Sequence, residues 1–150
     1  MEVIPAQEND LEEILQLQYL AYKSEAILCD DYSIPPLQQT IEGIVEEATI
    51  SRFLVVKFND VIIGSVRAYM DEGVCKIGRL IVHPEHQRKG VGTTLIANIE
   101  MCFPGASTYE VFTGKRSEGN LRLYNKLEYK LYKEEKLNER ITLVFLRKEN

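Results

Sequence analysis

No cysteine pair in this 150-residue chain follows a CxxC spacing, and Cys29, Cys75 and Cys102 are odd in number and widely separated. A disulfide framework and a zinc site are therefore not indicated, and a reducing cytoplasm suits the chain. The opening MEVIPAQENDLEE has no basic stretch leading into an apolar one, and no window reaches the roughly 18 uncharged apolar residues of a membrane span. The protein is expected to be soluble and cytoplasmic, with no membrane partner. Basic excess is also missing. The formal net charge is −5, whereas a general nucleic-acid binder needs a basic face to neutralise phosphates. Nucleic acid is not an expected partner, while a cationic substrate would be at home. No internal repeat, low-complexity tract or linker divides the chain, which implies one compact domain over residues 1–150.

What is present is an ordinary globular composition, 45% hydrophobic and 27% charged, sufficient for a core without disulfides. Glu2 to Pro5 suits a short strand. Asn9 or Asp10 caps a helix, with Glu12 or Glu13 completing a capping box, and Leu11, Ile14, Leu15, Gln18 and Tyr22 follow at helical intervals. Ser24 to Pro36, with paired aspartates and paired prolines, reads as a loop or broken helix. A second helix spans about Pro36 to Ala48. Phe53–Phe58 and Val61–Met70 are strands joined by a tight Asn59-Asp60 turn, and a third strand, Val74–Val82, ends at His83-Pro84. A helix then starts near Gly90 and stops before Pro104. Tyr109–Thr113 forms a strand, Ser117–Lys126 a short helix, and Tyr129–Tyr132 with Ile141–Leu146 a closing antiparallel pair. The resulting order, β α α β β β α β α β β, is a mixed α/β domain, mainly antiparallel, with one crossover helix from Val91 to Phe103 between two parallel strands.

The passage LIVHPEHQRKGVGTTL, Leu80 to Leu95, carries the chemistry. A helix N-terminus exposes unpaired N–H groups and about half a positive charge, and glycines let a phosphate approach the backbone. Gly90 and Gly92 give that room, and Arg88 and Lys89 add charge, which together suit a diphosphate; a tight turn with no ligand would use the same glycines. A Walker loop is excluded because Gly92 is followed by Thr93-Thr94 without lysine, and a dinucleotide fingerprint because Leu95 stands where the third glycine is needed.

Val82-His83-Pro84 followed by Gln87-Arg88-Lys89-Gly90-Val91-Gly92 resembles the Q/R-x-x-G-x-G/A signature of the GCN5-related N-acetyltransferase (GNAT) superfamily. SEGNLRLYNKLEY, Ser117 to Tyr129, is similar to the family's second segment, N-x-x-A-x-x-L-Y-x-x-L-G-F, with Leu123-Tyr124 and Leu127 in register. The resemblance implies the GNAT fold, a mixed and mostly antiparallel central sheet with a splayed parallel strand pair, flanked by helices. It also implies an acetyl-CoA cofactor. Its pyrophosphate would rest on the amides of Gln87, Arg88, Lys89, Gly90, Val91, Gly92 and Thr93, and its pantetheine arm along Leu80, Ile81 and Val82. Ser117 or Asn120 would supply a side-chain contact, and Tyr124 would take the place of the general acid.

By pattern alone Tyr124 reads more readily as a core tyrosine on an amphipathic helix, and it is the resemblance that gives it the acid's place. In members of the family that use a strand carboxylate it falls within Lys76, Ile77 and Gly78, where this chain has none, so the base stays open: a water relay, or one of Glu25, Asp30, Asp31, Asp71 and Glu72, each of which equally suits a solvated surface. The loop between the first two helices borders the acceptor in the family, which points to Asp30, Asp31 and Tyr32 for a cationic amine. His83 and His86 are two potential metal ligands without a third, so no metal is assigned. Glu128 replaces the usual glycine after the last helix, at a cost of about 1 kcal/mol if the backbone there is left-handed. The implied reaction moves an acetyl group directly to a primary amine of a small molecule, polyamine or peptide, in a monomer or homodimer. A non-catalytic acyl-CoA-binding sensor is the alternative.

Overall fold

The computed structural model describes residues 1–150. Seven strands form one sheet in the order β1-β2-β3-β4-β5-β7-β6, where β1 is Val3–Pro5, β2 Arg52–Phe58, β3 Val61–Asp71, β4 Val74–Val82, β5 Thr108–Gly114, β6 Lys130–Lys136 and β7 Thr142–Glu149. Every neighbouring pair is antiparallel except β4 with β5. Five helices complete the chain: α1 Leu11–Cys29, α2 Pro35–Gln38, α3 Ile41–Glu47, α4 Val91–Met101 and α5 Glu118–Lys126. This is the GNAT architecture, with α4 as the crossover between the two parallel strands.

The turns follow their residues. Asn59 and Asp60 both take positive φ, 51° and 64°, the conformation that a two-residue hairpin needs to match strand twist. The sheet is covered on both faces. One cluster joins Leu54, Val66 and Ile77 to Leu95, Ile96 and Ile99 of α4. The other joins Val55, Ile62 and Ile81 to Ile14, Leu15 and Leu17 of α1.

Three expected elements differ. The first helix runs through Ser24 to Cys29 instead of opening into a loop, because SEAILC contains no helix breaker and buries Ala26 and Cys29 against Ile34 and Ile141. It stops at Asp30, whose φ of 51° is left-handed. The second helix is two pieces, since Gln39 and Thr40 are extended and Thr40 caps α3 by accepting the Gly43 N–H at 3.0 Å. The expected capping box at Asn9 or Asp10 lies earlier, with Gln7 and Asp10 pairing around a short 3-10 turn before α1.

Candidate active site

The site exists because β4 and β5 stop pairing. Only Val74, Cys75 and Lys76 match Thr108, Tyr109 and Glu110. At that end Glu110 is buried and ties the strands together, accepting from Lys76 at 2.7 Å and Arg147 at 2.9 Å and from the Tyr132 hydroxyl. Beyond it the strands diverge. Within β4 the register against β3 shifts between Ser65 and Arg67, and Arg79 sits there at φ 49°, a bulge that bends the strand and re-aims its residues. Lys76, the first of the three positions among which the resemblance puts a strand carboxylate, is thus engaged with Glu110.

Two cavities occupy the gap. The larger, about 410 Å³, runs beside Leu80, Ile81 and Val82, past Gln87, Arg88, Gly90, Val91, Gly92 and Thr93, to Gly119, Asn120, Arg122, Leu123 and Lys126 on α5. Gly90 is the left-handed N-cap of α4, at φ 85°, with open space on the side where a Cβ would stand. The first-turn amides after it have no intrahelical acceptor. On Gly92 a Cβ would lie 3.3 Å from Leu123 and 3.7 Å from Leu80, so the missing side chain lets α4, α5 and β4 converge around the groove. Arg88, Arg122 and Lys126 line this cavity against one carboxylate, Glu25. Free helical amides, a glycine gap and three cations fit a polyanionic carrier such as coenzyme A.

The smaller cavity, about 210 Å³, lies on the other side of the gap. Tyr22, Glu25 and Cys29 of α1 form one wall, Gly78, Arg79 and Leu80 the bulge, Tyr124 the α5 side, and Ile34, Phe112, Ile141 and Leu143 an apolar remainder. Tyr22, Glu25, Leu80 and Asn120 border both cavities, so the two spaces meet beside the Glu25 carboxylate.

Of the residues expected at the cofactor, Lys89 is exposed and outside the larger cavity, and Ser117 is buried with its hydroxyl donating to Glu25. Asn120 does border both spaces, and its amide donates to Thr113 at 3.2 Å. Tyr124 is buried beside the smaller cavity, stacked obliquely on Tyr129 with ring centroids 5.9 Å apart. Burial, with Tyr22 and Glu25 nearby, pushes its phenol well above the ordinary range. It therefore stays protonated and able to donate.

The acceptor residues expected from the loop are not in either cavity. Asp31 accepts the Ser33 N–H at 2.9 Å and hydroxyl at 2.6 Å, which hold its carboxyl below the usual range, and also Asn138 at 3.1 Å. Asp30 faces Arg140 at 3.7 Å, and Tyr32 is exposed. Because α1 extends to Cys29, these three fall past its end, and Asp30 and Asp31 turn toward Arg140 and Asn138 between β6 and β7. The histidines stack edge to face with centroids 5.8 Å apart, and His83 accepts the Glu85 N–H. No group of three potential metal ligands is present.

Sequence reasoning missed Tyr22, Cys29 and Arg79 and did not single out Glu25. Once α1 is read through Cys29, Tyr22, Glu25 and Cys29 stand at i, i+3 and i+7 on one helix face. Arg122 and Lys126 were recoverable in the same way, at i and i+4 on α5.

Residues 9–129 match the acetyltransferase (GNAT) family, and the chain belongs to that family. Membership supports acetyltransferase activity in general. The UPF0157 protein YqkA of Bacillus subtilis (strain 168) is 31% identical over 112 residues, covering 75% of this chain and 32% of that protein; the chain spans about a third of the length of this curated relative. Among solved structures, smu.2055 of Streptococcus mutans UA159 superposes with a TM-score of 0.82 at 15% identity over 99% of both chains. The yncA protein of Salmonella typhimurium, solved with its cofactor acetyl-CoA, superposes with a TM-score of 0.75 at 18% identity over 99% of this chain and 93% of that one. At such identities the likeness shows the fold.

Proposed function

We propose that this protein is an acetyl-CoA-dependent N-acetyltransferase that moves an acetyl group directly to a primary amine. The observation that carries the reading is the meeting of a cationic groove at a helix N-terminus with a smaller, mainly apolar cavity at Tyr22, Glu25, Leu80 and Asn120. Acetyl-CoA supplies an acetyl thioester, so the amine nitrogen gains a C–N bond as the C–S bond breaks, one proton goes to the departing thiolate and the other to a base and then solvent. The first-turn amides of α4 with Arg88, Arg122 and Lys126 hold the diphosphate and adjacent phosphate, and Leu80 to Val82 flank the arm.

An alkyl ammonium is free amine in only about one molecule in a thousand at neutral pH, so the acceptor must lose a proton before it can attack. Glu25 is the carboxylate that borders both cavities, and it binds the ammonium and takes that proton. Tyr124 is held neutral at the opposite wall and donates toward the sulfur. A backbone N–H of the bulged strand near Leu80 faces the developing oxyanion.

Thiol release from acetyl-CoA against a panel of small amines, polyamines, amino acids and peptides tests the reading, with Tyr124→Phe run beside it. Release that requires both an acceptor and Tyr124 supports it. Coenzyme binding with no release for any acceptor would favour the non-catalytic acyl-CoA sensor instead.

A further inference from the structure

The smaller cavity is lined by an arginine that pairs with no carboxylate. Each of the buried or half-buried cations elsewhere faces a carboxylate: Arg67 with Glu47 at 2.8 Å, Lys76 with Glu110 at 2.7 Å, Arg147 with Glu110 at 2.9 Å, Lys148 with Glu100 at 2.6 Å. Arg79 has none. Its Nε–H is buried without an acceptor, and the residue lines the same cavity as Glu25. Arg79 and Glu25 do not pair with each other either; Glu25 accepts from Ser117 instead. Tyr22 is the neighbour that Arg79 does engage: burial raises the phenol, and the charge of the Arg79 guanidinium together with a side-chain hydrogen bond from it pulls the phenol back down. An arginine Nε–H buried without an acceptor is costly, and a carboxylate is the group whose geometry a guanidinium matches.

We propose that the acceptor is a zwitterion, a free amino acid with an apolar side chain, whose ammonium meets Glu25 and whose carboxylate meets Arg79. This rests on the acetyltransferase reading and narrows it. The apolar wall of Ile34, Phe112, Ile141 and Leu143 receives the side chain, and about 210 Å³ suits a molecule of that size. A polyamine would set a second ammonium against Arg79, and a peptide N-terminus would bring no carboxylate within reach of it.

The test compares leucine and phenylalanine with their decarboxylated amines and their methyl esters, in wild type, Arg79→Gln and Arg79→Lys. Thiol release, coenzyme Kd by calorimetry and, without coenzyme, the melting temperature with each ligand are measured. Wild type should prefer the amino acids by about tenfold to a hundredfold in kcat/KM, the range for a hydrogen bond to a charged group. Arg79→Gln should lose that preference through KM at unchanged coenzyme Kd, and Arg79→Lys should keep part of it. The amino acids alone should raise the melting temperature of wild type and not of Arg79→Gln. Equal turnover of the decarboxylated amines, or a preference that survives Arg79→Gln, overturns the zwitterion while leaving the acetyltransferase standing. If wild type binds no coenzyme, the acetyltransferase reading fails. If wild type binds coenzyme and no amino acid is stabilising or turned over, the zwitterion alone fails.

Discussion

The two cavities are built from different kinds of material. The floor of the larger one comes mostly from one continuous passage, Leu80 to Thr93, and its chemistry is largely that of the backbone: helix amides, a left-handed glycine and a strand edge. The smaller one draws side chains from α1, the following loop, β4, β5, α5 and β7, spanning Tyr22 to Leu143. A site made of backbone leaves a contiguous motif, because spacing alone determines where the amides point. A site made of side chains leaves none, and it can change specificity without disturbing the first.

That separation predicts mutants that injure one cavity and spare the other. The largest effect belongs to Glu25→Gln, which removes the carboxylate where the spaces meet while keeping shape and hydrogen bonding to Ser117. Its kcat/KM for the acceptor should fall by about a hundredfold, as for loss of an acid–base group, with coenzyme Kd unchanged by calorimetry. A parallel loss of coenzyme affinity would show the two spaces to be one site energetically. Next is Tyr124→Phe, for which turnover should drop tenfold or more at nearly constant coenzyme affinity; wild-type turnover would leave Tyr124 as a packing residue against Tyr129. On the other side of the comparison, Arg122→Ala combined with Lys126→Ala should weaken coenzyme binding by about fivefold, as expected for two exposed ion pairs, and less as salt is raised. Acceptor KM should not move.

The same division explains what the sequence disclosed. The strand order, the crossover helix and the Asn59-Asp60 hairpin follow from period and turn chemistry over short windows, and each is found in place. The passage from Gln87 to Thr93 was legible for the same reason. The wall of the smaller cavity was not, because its visibility depended on where α1 ends. Reading SEAILC as a loop put Asp30, Asp31 and Tyr32 in prospect and hid the face of Tyr22, Glu25 and Cys29. The Arg79 bulge had no local signal, since an arginine at positive φ is uncommon and the register shift arises from pairing with β3. Ser117 was assigned to the cofactor by alignment with a motif, yet it precedes the first residue of α5, and its hydroxyl turns inward to α1.

Helix α5 serves both cavities, with Arg122 and Leu123 toward the larger and Tyr124 toward the smaller, so its C-terminal anchor offers the mildest perturbation of the comparison. Glu128 follows the C-cap Leu127 and takes φ 73°. Its N–H donates to the Asn125 carbonyl at 3.0 Å, and the Tyr129 N–H donates to the Tyr124 carbonyl at 2.9 Å. These are the two bonds of a Schellman ending, with Tyr129 and Tyr124 making the accompanying apolar contact. The position after the cap is where glycine costs least, and an exposed glutamate gains nothing visible in exchange. Glu128→Gly should therefore raise stability by about 1 kcal/mol, read as a higher denaturation midpoint at constant m-value. Because the helix would end in the same place, coenzyme Kd and acceptor KM should both stay at wild-type values. A loss of stability would mean that the Glu128 side chain supports the turn in a way its backbone does not reveal, and a shift in acceptor KM alone would tie the setting of Tyr124 to the ending of its helix.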